Sequence, residues 1–300
     1  MIVSASRRTD IPAFYSQWLM GRLREGFVCV RNPMNFHQVS KVSLAPEVVD
    51  CIVFWTKNPQ NIMASLKEIT EMGYSYYFQF TLTPYDLSLE RYLPPKSQLV
   101  EVFKTLADLI GPQRVIWRYD PILLTDEISP AYHVKKFEAL GRQLAGYTER
   151  CVISFVDLYG KTKRNTQGLN LRSLTEGEMY ELGSALADLG DAYGITLSTC
   201  AEAVDLTEVG IRPGACIDSE LIKKISGVPL RAKKDRNQRR ECRCAASVDI
   251  GAYNTCGHGC LYCYANHNPT SGQKNLREHD PNSPFLASQP MTGDVVKMRW

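Results

Sequence analysis

Three cysteines, Cys256, Cys260 and Cys263, share one short stretch, CGHGCLYCYAN, spanning 256–266. Thiolates so close in sequence can wrap a single metal centre. Four thiolates close a structural site, whereas three leave one coordination position open for chemistry. The spacing C-x3-C-x2-C suits three irons of a 4Fe–4S cluster, and Gly257 and Gly259 suit a loop that must wrap it closely. The competing reading is a zinc knuckle completed by His258 or His267. His258 lies inside the loop and would have to point back at a metal it helps surround, so it is expected to face solvent or substrate as a donor. Iron–sulfur is the favoured reading.

The chain has ten cysteines, unevenly placed. Clustered cysteines in a reducing compartment point to metal or redox chemistry rather than disulfides. Cys29, Cys51 and Cys151 stand in apolar, strand-like contexts (FVCV, DCIVFW, RCVISF) and read as small buried hydrophobes. Cys200, Cys216, Cys242 and Cys244 form a set of four, the number that a fully ligated second iron–sulfur cluster or a structural zinc needs. The C-x-C pair at 242–244 is a less usual spacing than C-x2-C. Composition adds little: 44% apolar, 22% charged and a net charge of +3 describe an ordinary globular protein and name no partner. No apolar run is long enough to span a bilayer, and MIVSASRRTD lacks the features of a signal peptide, so a cytoplasmic location is expected.

These residues must be positioned by the elements around them. Apolar, β-branched or aromatic runs predict strands at 2–6, 51–55, 76–82, 114–118, 151–156, 195–199 and 247–253, with FVCV (27–30) either adding another or pairing with KVSL (41–44) as a hairpin. Between them lie helical segments. Asn58 and Pro59 open one carrying Ile62, Leu66 and Ile69, and Ser129 and Pro130 open another. Thr175 and Glu178 form a capping box before a third, and Asp218 caps a fourth. This alternation implies a parallel sheet with outer helices, and seven or eight strands point to a full or partial TIM-like β/α barrel over 1–267. A doubly wound sheet is the alternative, without a Gly-rich phosphate loop to support it. Each apolar run ends in polar groups: Arg7, Arg8, Thr9 and Asp10; Thr56, Lys57 and Asn58; Thr81, Thr83 and Tyr85; Arg118, Tyr119 and Asp120; Asp157, Tyr159 and Lys161; Thr199, Cys200 and Glu202. In a β/α barrel such ends meet at one mouth, and the cysteine loop also follows a strand. The basic run at 231–243 reads as a solvated linker before the last strand, with a phosphate-backbone contact as its functional alternative. The tail, 268–300, rich in Pro, Asn and Ser, reads as irregular coil able to lie over the mouth.

CGHGCLYCYAN resembles the cluster loop of the radical S-adenosylmethionine superfamily, in the C-x3-C-x-Y-C-Y form of spore-photoproduct-lyase-like enzymes. With SASRRTDIPAF, VRNP, FWTKNP, WRYDPI, CAE and CID, nearly the whole chain is similar to an uncharacterised bacterial family carrying such a cluster at its C-terminus. The resemblance implies a 4Fe–4S cluster on Cys256, Cys260 and Cys263, with S-adenosylmethionine on the open iron. Reductive cleavage would yield a 5′-deoxyadenosyl radical that abstracts hydrogen from a substrate, and a flavodoxin or ferredoxin would supply the electron. It implies no particular reaction; a nucleic acid, a peptide or a small molecule all remain open as substrate. Tyr262 and Gly259 would adjoin the bound cofactor, and Arg7, Arg8, Lys57, Arg118 and Asp120 would meet its carboxylate, its ribose or the substrate. In the superfamily the loop follows the first barrel strand, whereas here it follows the last, which implies a circularly permuted barrel. Two readings from other classes stand beside this one: a non-catalytic iron–sulfur protein for electron transfer or redox sensing, and a zinc-stabilised nucleic-acid-binding module.

Overall fold

Strands and helices alternate along the chain, in a computed structural model that describes every residue except Tyr159, Arg231 and Trp300. Tyr159 among the expected strand-end groups, Arg231 at the head of the basic run and Trp300 at the end of the tail thus lie outside the described residues. The strands are β1 (Ile2–Ala5), β2 (Phe27–Arg31), β3 (Gln38–Ser43), β4 (Cys51–Thr56), β5 (Tyr76–Thr81), β6 (Val115–Ile122), β7 (Arg150–Phe155), β8 (Thr196–Thr199), β9 (Arg212–Pro213), β10 (Ser247–Asp249) and β11 (Val295–Arg299). The helices are α1 (Ile11–Phe14), α2 (Ser16–Glu25), α3 (Gln60–Met63), α4 (Leu66–Glu71), α5 (Lys96–Ile110), α6 (Pro130–Leu144), α7 (Gly160–Asn165), α8 (Glu176–Ala192), α9 (Ser219–Ser226) and α10 (Ser271–Arg277).

Eight strands form one parallel sheet in the order β10-β1-β4-β5-β6-β7-β8-β9. The strand that leads into the cysteine loop therefore lies beside the first strand of the chain, with Val3 opposite Val248 and Ser4 opposite Asp249. Among the described residues no ladder joins β9 to β10, so strand pairing does not close the sheet into a ring. β10 is shorter than the 247–253 expected of it. The chain turns at Gly251, where a Cβ would lie 2.1 Å from the Ser6 hydroxyl.

The two-residue period of the strands divides the sheet into two faces. Val3, Phe54, Phe78, Trp117 and Ile153 pack beneath the helices with Ile69, Phe103, Phe137 and Leu186. The opposite face carries Ile2, Val53, Tyr77, Ile116 and Val152, covered by Ile217, Leu221 and Ile222 from α9 and the turn before it. Further along that second face the same alternation places Ser4, Gln79, Arg118 and Ser154, all polar. Helix punctuation follows the sequence closely. Ser129 accepts the amide of Tyr132, Thr175 and Glu178 make a complete capping box, and Asp218 caps α9, which Gly227 closes at φ 71°.

The structure departs from expectation in four further places. The helix opened at Pro59 is split into α3 and α4, although Ile62, Leu66 and Ile69 all remain buried. Cys51 and Cys151 are fully buried, but Cys29 is only half-buried. The tail is not irregular coil. It holds α10 and then β11, which pairs in parallel with β3 and extends the β2–β3 hairpin to three strands. Its turn-forming composition concealed a seven-residue helix and an edge strand too short to show periodicity. His258, finally, is buried rather than facing solvent.

Candidate metal and cofactor site at the strand ends

The cysteine loop is fixed by main-chain contacts to the segment that follows β5. Glu90 and Cys260 form an antiparallel bridge, the Leu261 amide donates to the Leu89 carbonyl at 2.9 Å, and the Tyr92 amide donates to the His258 carbonyl at 3.1 Å. Gly259 adopts φ +67°, the left-handed turn that the sharp bend requires. On the other side α10 presses against the loop at Gly272, where a Cβ would stand 1.8 Å from the Cys256 carbonyl oxygen. Asn266 donates to that same carbonyl at 2.8 Å. The three thiols are therefore held on a firm loop. Burial pushes all three upward, Cys256 to about 12. They are protonated as they stand, so metal binding there must expel protons.

One buried carboxylate organises the ground beneath the loop. Glu90 is 1% exposed and accepts from Lys57 Nζ at 2.7 Å, Thr83 Oγ1 at 2.7 Å, the Tyr262 hydroxyl and Lys96 Nζ. Burial pushes the Glu90 carboxyl up, but Lys57 and then Lys96 outweigh it and hold it at about 2. Lys57 is raised on balance, because Glu90 more than offsets the effect of burial. Lys96 is lowered, because for it burial prevails. Lys57 is thus the principal partner, and its charge also acts on Cys260 and Cys263. Tyr262 points its hydroxyl into this network and its ring edge toward Tyr85, 5.7 Å between centroids, inside an apolar patch with Leu89, Leu123 and Cys260.

A second carboxylate ties three strand ends together. Asp10 caps α1 by accepting the Ala13 amide at 2.9 Å, and it also accepts the Lys57 amide at 2.6 Å and His258 Nε2 at 2.7 Å. Asp249, at the end of β10, accepts from Ser4, Ser6, Gly251 and the Arg7 amide. Arg7 lies with its guanidinium 5.8 Å from the Trp55 ring. Its Nε, Trp55 Nε1 and Thr9 Oγ1 are buried without a partner. Buried donors are normally satisfied, so these orphans at the ends of β1 and β4 mark where an acceptor-rich ligand would fit. Arg8 turns elsewhere, over Tyr253 at 5.2 Å, into a cavity of about 240 Å³ shared with Arg31, Phe36 and Phe285.

Arg118 and Asp120 lie deeper. Arg118 is 5% exposed, stacks over Trp55 at 4.9 Å and pairs with Asp120, which also accepts from Ser154. Arg118 also donates to Gln79 at 3.2 Å and to the Cys216 sulfur at 2.8 Å. That last contact leads to the other four cysteines, which the fold gathers together. Cys216 Sγ lies 3.0 Å from Cys200 Sγ, and the Cys244 sulfur accepts the Ile217 amide at 3.4 Å. The four thiols perturb one another: Cys200 and Cys244 are lowered, chiefly by Cys216, and Cys216 and Cys242 are raised by their thiol neighbours. All ten cysteines are free thiols. Among the described residues no three His, Cys, Asp or Glu side chains already form a site for one metal ion. A 4Fe–4S cluster makes a different demand: each thiolate takes its own iron, so the sulfurs surround a volume instead of a point.

Of the residues singled out in the sequence, Lys57, Cys260 and Tyr262 thus share one network, and Arg118, Asp120 and Cys216 share another. Arg7 stands beside Trp55 between them, and Arg8 belongs to neither. Glu90, Lys96 and Asp249 had escaped notice. Glu90 sits in a loop with no periodicity to reveal its burial, and Asp249 was absorbed into a strand.

A family model described as "Domain of unknown function (DUF1848)" matches residues 2–265, and the chain belongs to that family. No curated protein matches it. Among solved structures it is similar to one described as a "putative alpha-L-fucosidase" from Bacteroides thetaiotaomicron VPI-5482. The identity is 14% and the TM-score 0.32, over 78% of this chain and 85% of the other.

Proposed function

We propose that this member of the DUF1848 family is a radical S-adenosylmethionine enzyme on a circularly permuted β/α barrel. The observation that carries the reading is the placement of the C-x3-C-x2-C loop. It leaves the end of β10, next to β1 in a parallel sheet, and lies beside the Lys57 ammonium. A loop cut from the start of a barrel and rejoined at its end would occupy the same position. The partnerless donors at Arg7, Trp55 and Thr9 fit a ligand bearing a carboxylate and hydroxyls.

When bound, a 4Fe–4S cluster and S-adenosylmethionine supply one-electron cleavage of a sulfonium and hydrogen abstraction from substrate carbon. The protein's own groups bind, orient and exclude water. Cys256, Cys260 and Cys263 would each hold one iron through a thiolate and leave the fourth iron without a protein ligand. Lys57, anchored by Glu90, sets a positive charge against the thiolates and favours their ionised form. Asp10 fixes the His258 ring and the Lys57 main chain, so the loop and the β4 end hold one relative position. Tyr85, Leu89 and Leu123 keep water from the inner side of the loop. A small electron-transfer protein of the flavodoxin or ferredoxin type would be the reductant, and a reducing cytoplasm the natural setting. Among the described residues no helix is long and apolar enough to cross a membrane.

The test is anaerobic purification, reduction with dithionite and addition of S-adenosylmethionine. Formation of 5′-deoxyadenosine, abolished in Cys260→Ala, is the expected result. A protein that binds iron and sulfide but never yields that product would be a passive electron carrier. A colourless zinc protein would overturn the iron–sulfur reading entirely.

A further inference from the structure

The sheet has two free edges. Between β9 and β10 the chain runs through α9 and the basic segment, and no strand pairing spans the gap among the described residues. Three of the four remaining cysteines lie on the chain between β9 and β10, and Cys200 lies just ahead of β9. Cys200 follows β8 directly, Cys216 lies just after β9, and Cys242 and Cys244 lie just before β10. The two sides already touch. The Ala245 amide donates to the Ile217 carbonyl at 3.0 Å, and the Ile217 amide donates to the Cys244 sulfur at 3.4 Å. Tyr77 and Gln79, from the middle of the sheet, both donate to the Cys216 carbonyl, at 2.6 and 2.8 Å.

We propose that Cys200, Cys216, Cys242 and Cys244 hold a closed metal–thiolate centre that fastens the β9 edge of the sheet to the β10 edge. Four thiolates leave no open position, so the centre is structural rather than catalytic. Its ligand is a thiophilic metal, either a single zinc ion or a cluster with one iron per thiolate. The sulfurs of Cys200 and Cys216 stand 3.0 Å apart. Tetrahedral zinc needs ligand sulfurs about 3.8 Å apart, given bonds of about 2.3 Å. Cys200 and Cys216 thus stand closer than either centre requires, and metal entry must spread this pair by side-chain rotation. On binding, the thiol protons leave to water.

The surroundings match the charge of such a centre. Four thiolates around a divalent ion carry two net negative charges, which an apolar interior tolerates only beside counter-charges. Arg118 donates directly to Cys216. Apolar groups complete the enclosure: Cys216, Cys242 and Cys244 are each less than 10% exposed, among Val53, Ile116 and Ile222. The site shares no ligand with Cys256, Cys260 and Cys263, so it stands or falls separately from the proposed activity.

The experiment uses the full chain with Cys256, Cys260 and Cys263 replaced by alanine, purified without oxygen. Zinc, iron and acid-labile sulfide are measured per chain. About one zinc without sulfide, or about four irons with matching sulfide, supports the proposal and identifies the metal. Adding Cys216→Ser and Cys244→Ser should then remove at least about nine-tenths of that metal. X-ray absorption on the first variant keeps the test valid if the second fails to fold. A first shell of sulfur alone, at about 2.3 Å from the metal, is expected, with metal–metal scattering beyond it only for the iron cluster. A metal-free first variant, full metal retention in the second, or a shell of nitrogen and oxygen would each overturn the proposal.

Discussion

Replacing Glu90 by Gln tests the buried network beneath the cysteine loop. Glutamine keeps the shape and can still accept from Thr83 and Tyr262, but it leaves the Lys57 and Lys96 ammoniums without a counter-ion in a nearly closed site. The carboxyl moves from its ordinary 4.5 to about 2 on folding. At about 1.4 kcal/mol for each tenfold change in proton affinity, that is about 3 kcal/mol. Breaking a buried ion pair from one side costs about 3–5 kcal/mol by an independent route, so the two agree. Because the carboxyl is depressed, its contribution is complete above pH 4.5 and disappears as pH falls toward 2. Urea unfolding followed by tryptophan fluorescence, on preparations of equal metal content, should show the loss at pH 7 and a narrowing gap near pH 3. Adding Lys57→Met to the variant should recover part of the loss, since the stranded charge is then gone. An unfolding free energy within about 0.5 kcal/mol of wild type, the range of a neutral surface change, would refute the network.

Three further outcomes are expected. Gly272→Ala drives a methyl group into the Cys256 backbone, so it should destabilise by about 1–3 kcal/mol and lower the iron bound at the triad, read by metal analysis. His133 is fully buried between the Tyr119 hydroxyl and the Leu123 carbonyl, and burial lowers it to about 4. Its contribution is therefore present above pH 6.5 and lost between 6.5 and 4. Wild type should forfeit about 3 kcal/mol across that window, and His133→Gln should show a correspondingly flatter profile in the same unfolding assay. Thr175→Ala removes one half of the capping box on α8 and should cost about 1 kcal/mol, with metal content unchanged.

What the sequence discloses depends on the range of the interaction. Strands with continuous apolar runs and helices with caps are local statements, and CIVFW, YYFQFT and the Thr175 capping box lie where periodicity and capping place them. The neighbouring strand ends also follow, because parallel strands aim their ends alike; Cys200 and Cys216 follow strands in this way, whereas Cys242 and Cys244 precede β10 and join them through long-range packing. Long-range chemistry leaves no such trace. Nothing around Glu90 indicates that two lysines and a tyrosine will converge on it. His258 carries no sign that Asp10, 248 positions away, will claim its ring. The C-terminal segment departs from the coil that its composition predicts for another reason: α10 and β11 are too short for a period to emerge from turn-rich composition, and their order comes from packing against the rest of the chain.

The pairing of β10 with β1 also sets the order of events during synthesis. Residues 2–5 leave the ribosome long before their neighbour on that side, which is not available until residue 249 has emerged. Most of the parallel sheet, and the shelf after β5 on which the cysteine loop rests, can form before the three thiols exist. Under the proposed function, cluster delivery would be deferred to a largely formed protein. An oxygen-sensitive centre assembled on a nascent chain would face solvent while the sheet grew around it. Here the three thiols emerge after β1–β10 and settle on a surface that is already folded, with α10 and β11 still to follow.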